Sequence, residues 1–195
     1  SGVVAGRVEI SDFRKIKIED LLGRKTVPPI NSLFSARIAE QKILVSGGGG
    51  TIGTEICIQV LKNNPLSLII LDHSELAIYN VRNTLTELAK ELNATCELIF
   101  YLGDVCDQGF VSDILERHSP NTVYHAAAYK HVTIIEDNVV QGFRNNILGT
   151  KNIAMLAGKS GVARFVLVST DKAVRPTNAM GATKRVAELV VQDNA

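Results

Sequence analysis

The 195-residue sequence predicts a single α/β domain organised as a doubly wound parallel sheet. Three observations predict it. Five short runs are almost continuously apolar, as strands covered on both faces of a parallel sheet must be. Stretches of helical length separate them, and a cluster of glycines falls at the first junction between strand and helix. The composition is that of a globular chain, with 46% hydrophobic residues, 21% charged residues and a formal net charge of +1. That balance excludes a general nucleic-acid binder with a basic surface and also a charged disordered tail. With no Trp and only 5% aromatic residues, a base-stacking platform is not expected either.

Residues 1–40 lack the alternation. They hold the mixed segment from Lys15 to Arg24 and then Pro28-Pro29, and they read as an N-terminal arm leading into a domain over residues 41–195. The first strand is expected at 43–46 (ILVS), running straight into the glycines. The second is expected at 66–72 (LSLIILD). A helix follows at 75–92, where Leu76, Tyr79, Leu85, Leu88 and Leu92 recur at helical spacing behind Ser74 as N-cap. The third strand, at 97–102, leads to a helix at 107–117. The fourth, at 121–127, leads to a long helix at 138–159, and the fifth, at 164–170, to a helix at 179–193. Consecutive βα units of this kind require right-handed crossovers.

Cys57, Cys96 and Cys106 show no paired spacing and read as free thiols. His73, His118, His125 and His131 share no metal-ligand spacing, so no metal site is expected, and His125 inside strand four reads as a packed side chain. No apolar run approaches the roughly 20 residues that span a bilayer.

The glycine pattern Gly47-x-x-Gly50-x-x-Gly53 carries chemistry. The first glycine allows a tight turn out of strand one, the second lets a pyrophosphate approach the backbone, and the third lets the helix pack on the strand. The helix opening at Thr51, Ile52 and Gly53 offers free N–H groups and its positive dipole end to phosphate. This spacing between a strand and a helix is a dinucleotide fingerprint. Asp72, at the end of strand two, can accept from both ribose hydroxyls of NAD and would repel the 2′-phosphate of NADP, so NAD is expected over NADP. Asp104, in Gly103-Asp104-Val105 after strand three, is placed to reach an adenine.

Ligands of open parallel sheets sit beyond the carboxyl ends of the strands. Strand four ends in Ala126-Ala127-Ala128-Tyr129-Lys130-His131, where small residues let a cofactor pass and Lys130 can reach an anionic or hydroxylated substrate. Strand five ends in Ser169-Thr170-Asp171-Lys172, with a hydroxyl, an acid and an amine on one rim. Met180 and Lys184 then lie four apart on a helix, on one face.

On the strings IKIEDLLGR, ILVSGGGGTIGTEI, LDHSELAIYNV, YHAAAYKHV, NNILGTKNIA and FVLVSTDKAVRPTNAMGATKRVAEL, spread from Ile16 to Leu189, the chain resembles the extended short-chain dehydrogenase/reductase family. Within that family it is similar to the nucleotide-sugar 4,6-dehydratases of bacterial polysaccharide biosynthesis that act on UDP-N-acetylglucosamine. Ser46 stands where Thr is usual, which keeps a hydroxyl. The resemblance implies a Rossmann fold binding NAD, with catalytic residues Thr170, Asp171, Lys172, Met180 and Lys184. Met180 takes the place of the Tyr in the family's Tyr-x-x-x-Lys pair, and a thioether cannot accept the hydroxyl proton. Deprotonation then falls to Lys184, beside the nicotinamide ribose, or to Thr170 through water. Asp171 would protonate the departing C6 hydroxyl, and Lys172, if neutral through desolvation or neighbouring positive charge, would take the C5 proton. Asn146 matches a family position that orients the catalytic Lys, and with Lys130 it is assigned to the substrate.

Two alternatives stay open: a nucleotide-sugar 4-epimerase, and a non-catalytic dinucleotide-binding module. The resemblance further implies a chain truncated after the Met-x-x-x-Lys helix, its substrate lobe missing. The parent protein is expected on the cytoplasmic face of a bacterial inner membrane, anchored by a segment before residue 1. The sheet edge left exposed is expected to favour a homo-oligomer.

Overall fold

The computed structural model describes residues 31–193. The string IKIEDLLGR and the rest of residues 1–30 lie outside the described residues. Five parallel strands, β1 (Lys42–Ser46), β2 (Ser67–Asp72), β3 (Glu97–Leu102), β4 (Thr122–His125) and β5 (Arg164–Leu167), form one sheet in the order β3-β2-β1-β4-β5. The first three strands build outward from the centre, and the chain then crosses to the other side of β1 to start the second half. The carboxyl ends of β1 and β4 therefore flank the switch point where such sheets bind ligands.

The strand alternation divides the core between the two faces. Leu44, Ile69, Leu71 and Val123 pack with Val111, Ile114 and Leu115 of α4 (Gln108–His118) and with Ile153 and Leu156 of α7 (Thr150–Lys159). On the opposite face, Ile43, Val45, Leu68 and Ile70 pack with Cys57, Val60 and Leu61 of α2 (Thr51–Leu61) and with Val81 and Leu85 of α3 (Glu75–Leu92). Ile38 joins this second cluster from α1 (Asn31–Ile38). The core thus takes in the end of the segment that the sequence suggests is an arm. β1 and β2 are buried almost throughout, whereas the edge strands β3 and β5 are only partly covered.

Two expectations need correction. In α3 the buried face is formed by Val81 and Leu85, with Ile78 and Leu88 packed against it, whereas Leu76, Tyr79 and Leu92 are exposed. The spacing is helical, and of its five positions Leu85 and Leu88 lie on the apolar stripe while Leu76, Tyr79 and Leu92 flank it. The span 138–159 is not one regular helix. α6 (Val139–Gly142) runs into a π-helical segment, Phe143–Gly149, before α7 begins. The Thr150 hydroxyl donates to the Asn146 carbonyl at 2.7 Å, occupying an acceptor that an α-helix would give to an amide. Two short elements escape the sequence reading: α5 (Val132–Asp137), and a 3₁₀ turn at Asp171–Ala173. The last helix, α8, spans Ala179–Asp193. Among the described residues, no helix is long and apolar enough to cross a membrane.

Candidate active site at the carboxyl ends of the strands

The glycine loop leaves β1 with Gly47 at φ +70°, a conformation L side chains rarely adopt. A Cβ there would stand 2.6 Å from the Ala127 Cα, so β1 and β4 meet backbone to backbone at the switch point. α2 opens behind Gly50 with no side-chain cap, which leaves its first amides for an anion. Asp72 holds the loop from the neighbouring strand. Its Oδ2 accepts from Gly49 N at 3.0 Å, and its Oδ1 from Ser74 N at 3.0 Å. Ser74 caps α3 as the sequence suggests, accepting from Ala77 N. Asp104 Oδ1 accepts from Cys106 N at 2.8 Å, and the Asn152 amide fixes the buried Val105 by its carbonyl.

These parts enclose a cleft of about 250 Å³, lined by Gly47, Gly50, Asp72, Asp104, Val105, Ala126 and Ala127, with His73 and Tyr129 at its rim. A second cavity of about 250 Å³ adjoins it through Ala126, Ala128 and Tyr129, and it is lined by Ile52, Lys130, Thr170, Lys172, Met180 and Lys184. The structure thus gathers most of the sequence-predicted residues into one continuous trough.

Lys184 is nearly buried, and its Nζ donates to the Val168 carbonyl at 2.7 Å. Burial draws its pKa down to about 8, against the opposing charge of Glu188 one turn along. Lys172 is different: its side chain is 51% exposed and its Nζ lies 3.8 Å from Asp171 Oδ1. The desolvation expected at Lys172 is found at Lys184 instead. Asp171 is 92% exposed, and the Thr170 hydroxyl, donating at 3.0 Å, with the Lys172 charge, holds its carboxyl below the usual range. To act as an acid it needs a substrate that excludes water from this rim.

Asn146 does not reach Lys184, and it is fully buried, so it touches no substrate in this arrangement. Its Oδ1 accepts from Tyr129 N at 2.8 Å and from Asn145 Nδ2 at 3.0 Å. Its Nδ2 donates to the Tyr129 carbonyl and to Thr183 Oγ1, both at 3.0 Å. Every hydrogen-bonding site of the amide is filled. Asn146 therefore positions the loop after β4 and ties it to α8 next to Lys184.

Below the trough, His125 links Ser46 (Nδ1 to Oγ, 2.6 Å) to Thr150 (Nε2 to Oγ1, 2.9 Å). Thr150 spends its one proton on the Asn146 carbonyl, so Nε2 of His125 must donate to it and Nδ1 must accept from Ser46. The ring is neutral: complete burial and the nearby Lys184 charge push its pKa down to about 3. Because the folded value lies below the ordinary 6.5, the unfolded chain binds the proton first. Stability from this group is whole above pH 6.5 and is lost as pH falls towards 3, with a slope of up to about 1.4 kcal/mol per pH unit. Urea unfolding between pH 7 and 4 should therefore show a steeper loss in the native chain than in His125→Gln; parallel curves would disprove this protonation state.

Sequence reasoning missed Tyr129, Thr150 and Thr183. Tyr129 carried a signal, its place directly beyond a strand end; the two threonines carried none. Cys106, beside the cleft, is held as a thiol by burial and by Asp104, with its pKa pushed up to about 11. Among the described residues, no cluster of His, Cys, Asp or Glu could hold a metal ion.

Residues 43–195 match the profile of the polysaccharide biosynthesis protein family. The chain belongs to this family. One family member, the capsular polysaccharide biosynthesis protein CapD of Staphylococcus aureus, is 44% identical over 190 residues, which cover 97% of this chain and 31% of CapD. The chain thus spans about a third of that relative's length. Among solved structures, Pen from Bacillus thuringiensis superposes with a TM-score of 0.73 at 28% identity, over 81% of this chain and 48% of Pen. DesIV from Streptomyces venezuelae, a dTDP-glucose 4,6-dehydratase solved with NAD, superposes with a TM-score of 0.64 at 26% identity, over 76% of this chain and 50% of DesIV.

Proposed function

We propose that the chain is the dinucleotide-binding part of a nucleotide-sugar-modifying enzyme, working as an NAD-dependent 4,6-dehydratase of UDP-N-acetylglucosamine. The observation that carries this is the continuous trough, which sets a glycine loop, a ribose-type carboxylate and a desolvated lysine along one rim. The likeness to the DesIV dehydratase supports it. The cleft suits a dinucleotide: the uncapped start of α2 would offer the amides of Thr51, Ile52 and Gly53 to its phosphates beside the bare backbone of Gly50, and Asp72 would meet the adenosine ribose. Asp104 and Val105 would border the adenine, with Gly47, Ala126 and Ala127 as the floor. When bound, NAD supplies the hydride chemistry, acceptance from C4 of the sugar and return at C6.

The side chains move the protons. Lys184, or Thr170 through water, takes the proton of the C4 hydroxyl, a task Met180 cannot perform. The ketone at C4 acidifies C5. Once the bound sugar excludes water from this rim, a neutral Lys172 would take the C5 proton and give it back to C5 when hydride reaches C6, and a protonated Asp171 would give its proton to the C6 hydroxyl as it leaves. Lys130, exposed at the edge of the Lys184 cavity, would contact the sugar nucleotide. Attachment of the parent protein to the cytoplasmic face of an inner membrane belongs to the same reading and rests on the resemblance of residues 16–24.

The test is the mass of the product that the intact enzyme makes from substrate deuterated at C4. Dehydration loses one water and moves deuterium to C6; unchanged mass with inversion at C4 would make the enzyme an epimerase, and dinucleotide binding without turnover would leave a binding module. Cofactor preference is tested separately. NAD should bind at least about tenfold tighter than NADP, and Asp72→Ala should bring the two within about threefold by removing the carboxylate that repels the 2′-phosphate. Equal affinities in the native chain would remove the role assigned to Asp72.

A further inference from the structure

Tyr129 lines three cavities at the carboxyl ends of the strands: the glycine-loop cleft, the Lys184 cavity, and a further space of about 450 Å³ bordered by Lys130, Ile134, Asn138 and Gln141. Its backbone is held with unusual completeness for a loop residue. Both its N–H and its carbonyl bond to the Asn146 side chain, much as a strand neighbour would hold them. Asn146 is itself fixed by Asn145 and Thr183. The ring therefore starts from a rigid anchor and can move only by side-chain rotation.

Across the cleft, His73 follows Asp72, whose carboxylate accepts from Ser74 N and Gly49 N. The His73 backbone is thus pinned on both sides, and its Nδ1 lies 3.6 Å from Asp72 Oδ1. The two rings meet edge to face, with centroids 6.1 Å apart and planes at 79°. β2 and β4 are not neighbours; β1 and its glycine loop run between them. The contact consequently spans the mouth of the cleft whose floor is Gly47, Ala126 and Ala127.

We propose that Tyr129 and His73 form an aromatic clasp over the cofactor cleft, retaining a bound dinucleotide and setting its rate of release. The clasp rests on the dinucleotide reading. A ligand with its phosphates at the start of α2 and its ribose at Asp72 lies beneath the two rings, and it can leave only when they part. A cofactor oxidised and reduced within one turnover benefits from slow exchange, and two anchored rings supply it without blocking the sugar side of the trough.

The experiment is a chase. The full chain is loaded with NADH, mixed with excess NAD, and the fall of nicotinamide fluorescence is followed. Tyr129→Ala and His73→Ala should each speed release about tenfold. Tyr129→Phe, which keeps the ring, should stay within twofold of the native rate. Thermal unfolding monitored by circular dichroism should be nearly the same for all four proteins, which separates loss of the clasp from loss of the fold. Release from Tyr129→Ala at the native rate, or from Tyr129→Phe as fast as from Tyr129→Ala, overturns the clasp while leaving the dinucleotide reading intact. Failure of the native chain to bind NADH at millimolar concentration overturns the dinucleotide reading, and the clasp with it.

Discussion

Replacing Lys184 with alanine is expected to stop the first reduction of the nicotinamide on addition of UDP-N-acetylglucosamine, lowering that single-turnover rate by about 10³-fold in the intact enzyme. The lysine is nearly buried beneath the Val168 carbonyl, and burial brings its pKa down to about 8. Its neutral fraction grows as pH rises through that value. The rate of reduction should therefore climb about tenfold per pH unit below 8 and level off above it, whereas an arginine at 184 should be slow at every pH. Asp171→Asn should behave in the opposite sense, because its carboxyl acts only after the ketone exists: the nicotinamide should still be reduced while water is not released. Stopped-flow absorbance of reduced nicotinamide separates the two. Reduction by Lys184→Ala at the native rate would show that the C4 proton goes elsewhere, with Thr170 and water the remaining route.

How far these features can be read in the sequence depends on whether they are local. The glycine loop, Asp72 and the ends of β1 to β5 are legible because a parallel strand buried on both faces leaves an unbroken apolar run, and the residues just past it are at the ligand edge by construction. The same logic placed Ala126, Ala127, Lys130 and Thr170 on one rim, as the trough has them. What depends on depth was not legible. Lys172 and Lys184 look alike as letters, yet the 3₁₀ turn leaves one half-exposed while α8 buries the other. The partners of Asn146 lie 17 and 37 residues away, and its role follows from them and not from its own helix. The buried face of α3 is only partly legible, because β-branched Ile78 and Val81 share it with Leu85 and Leu88 while the exposed Leu76 and Leu92 keep the same helical period. The π-helical turn left no composition signal at all, since a single threonine hydroxyl at position 150 accompanies it.

The other large effect is expected at the third glycine. Gly53→Ala should weaken dinucleotide binding by at least about 100-fold and lower the unfolding free energy by about 1–3 kcal/mol, the ordinary cost of forcing atoms into a filled site. An added Cβ at Gly53 would overlap the Gly47 carbonyl oxygen, with Gly47 C at 2.7 Å and Gly48 Cα at 2.8 Å. All three are backbone atoms of the loop that must cradle the phosphates, so no side-chain rotation can relieve the contact. Either α2 is pushed away from β1 or the loop opens, and both move the amides at Thr51 to Gly53 out of register with a pyrophosphate. Gly50→Ala provides the contrast. Its Cβ would find Gly47 O at 3.4 Å, an ordinary contact, and its φ of −72° suits any residue. That variant should keep its stability within about 0.5 kcal/mol and lose affinity alone, because the methyl would stand where the phosphates approach the backbone. Calorimetric titration with NAD and urea unfolding of the two variants decide between these outcomes. Native affinity and native stability in Gly53→Ala would mean that the helix does not seat on the loop as closely as the structure has it.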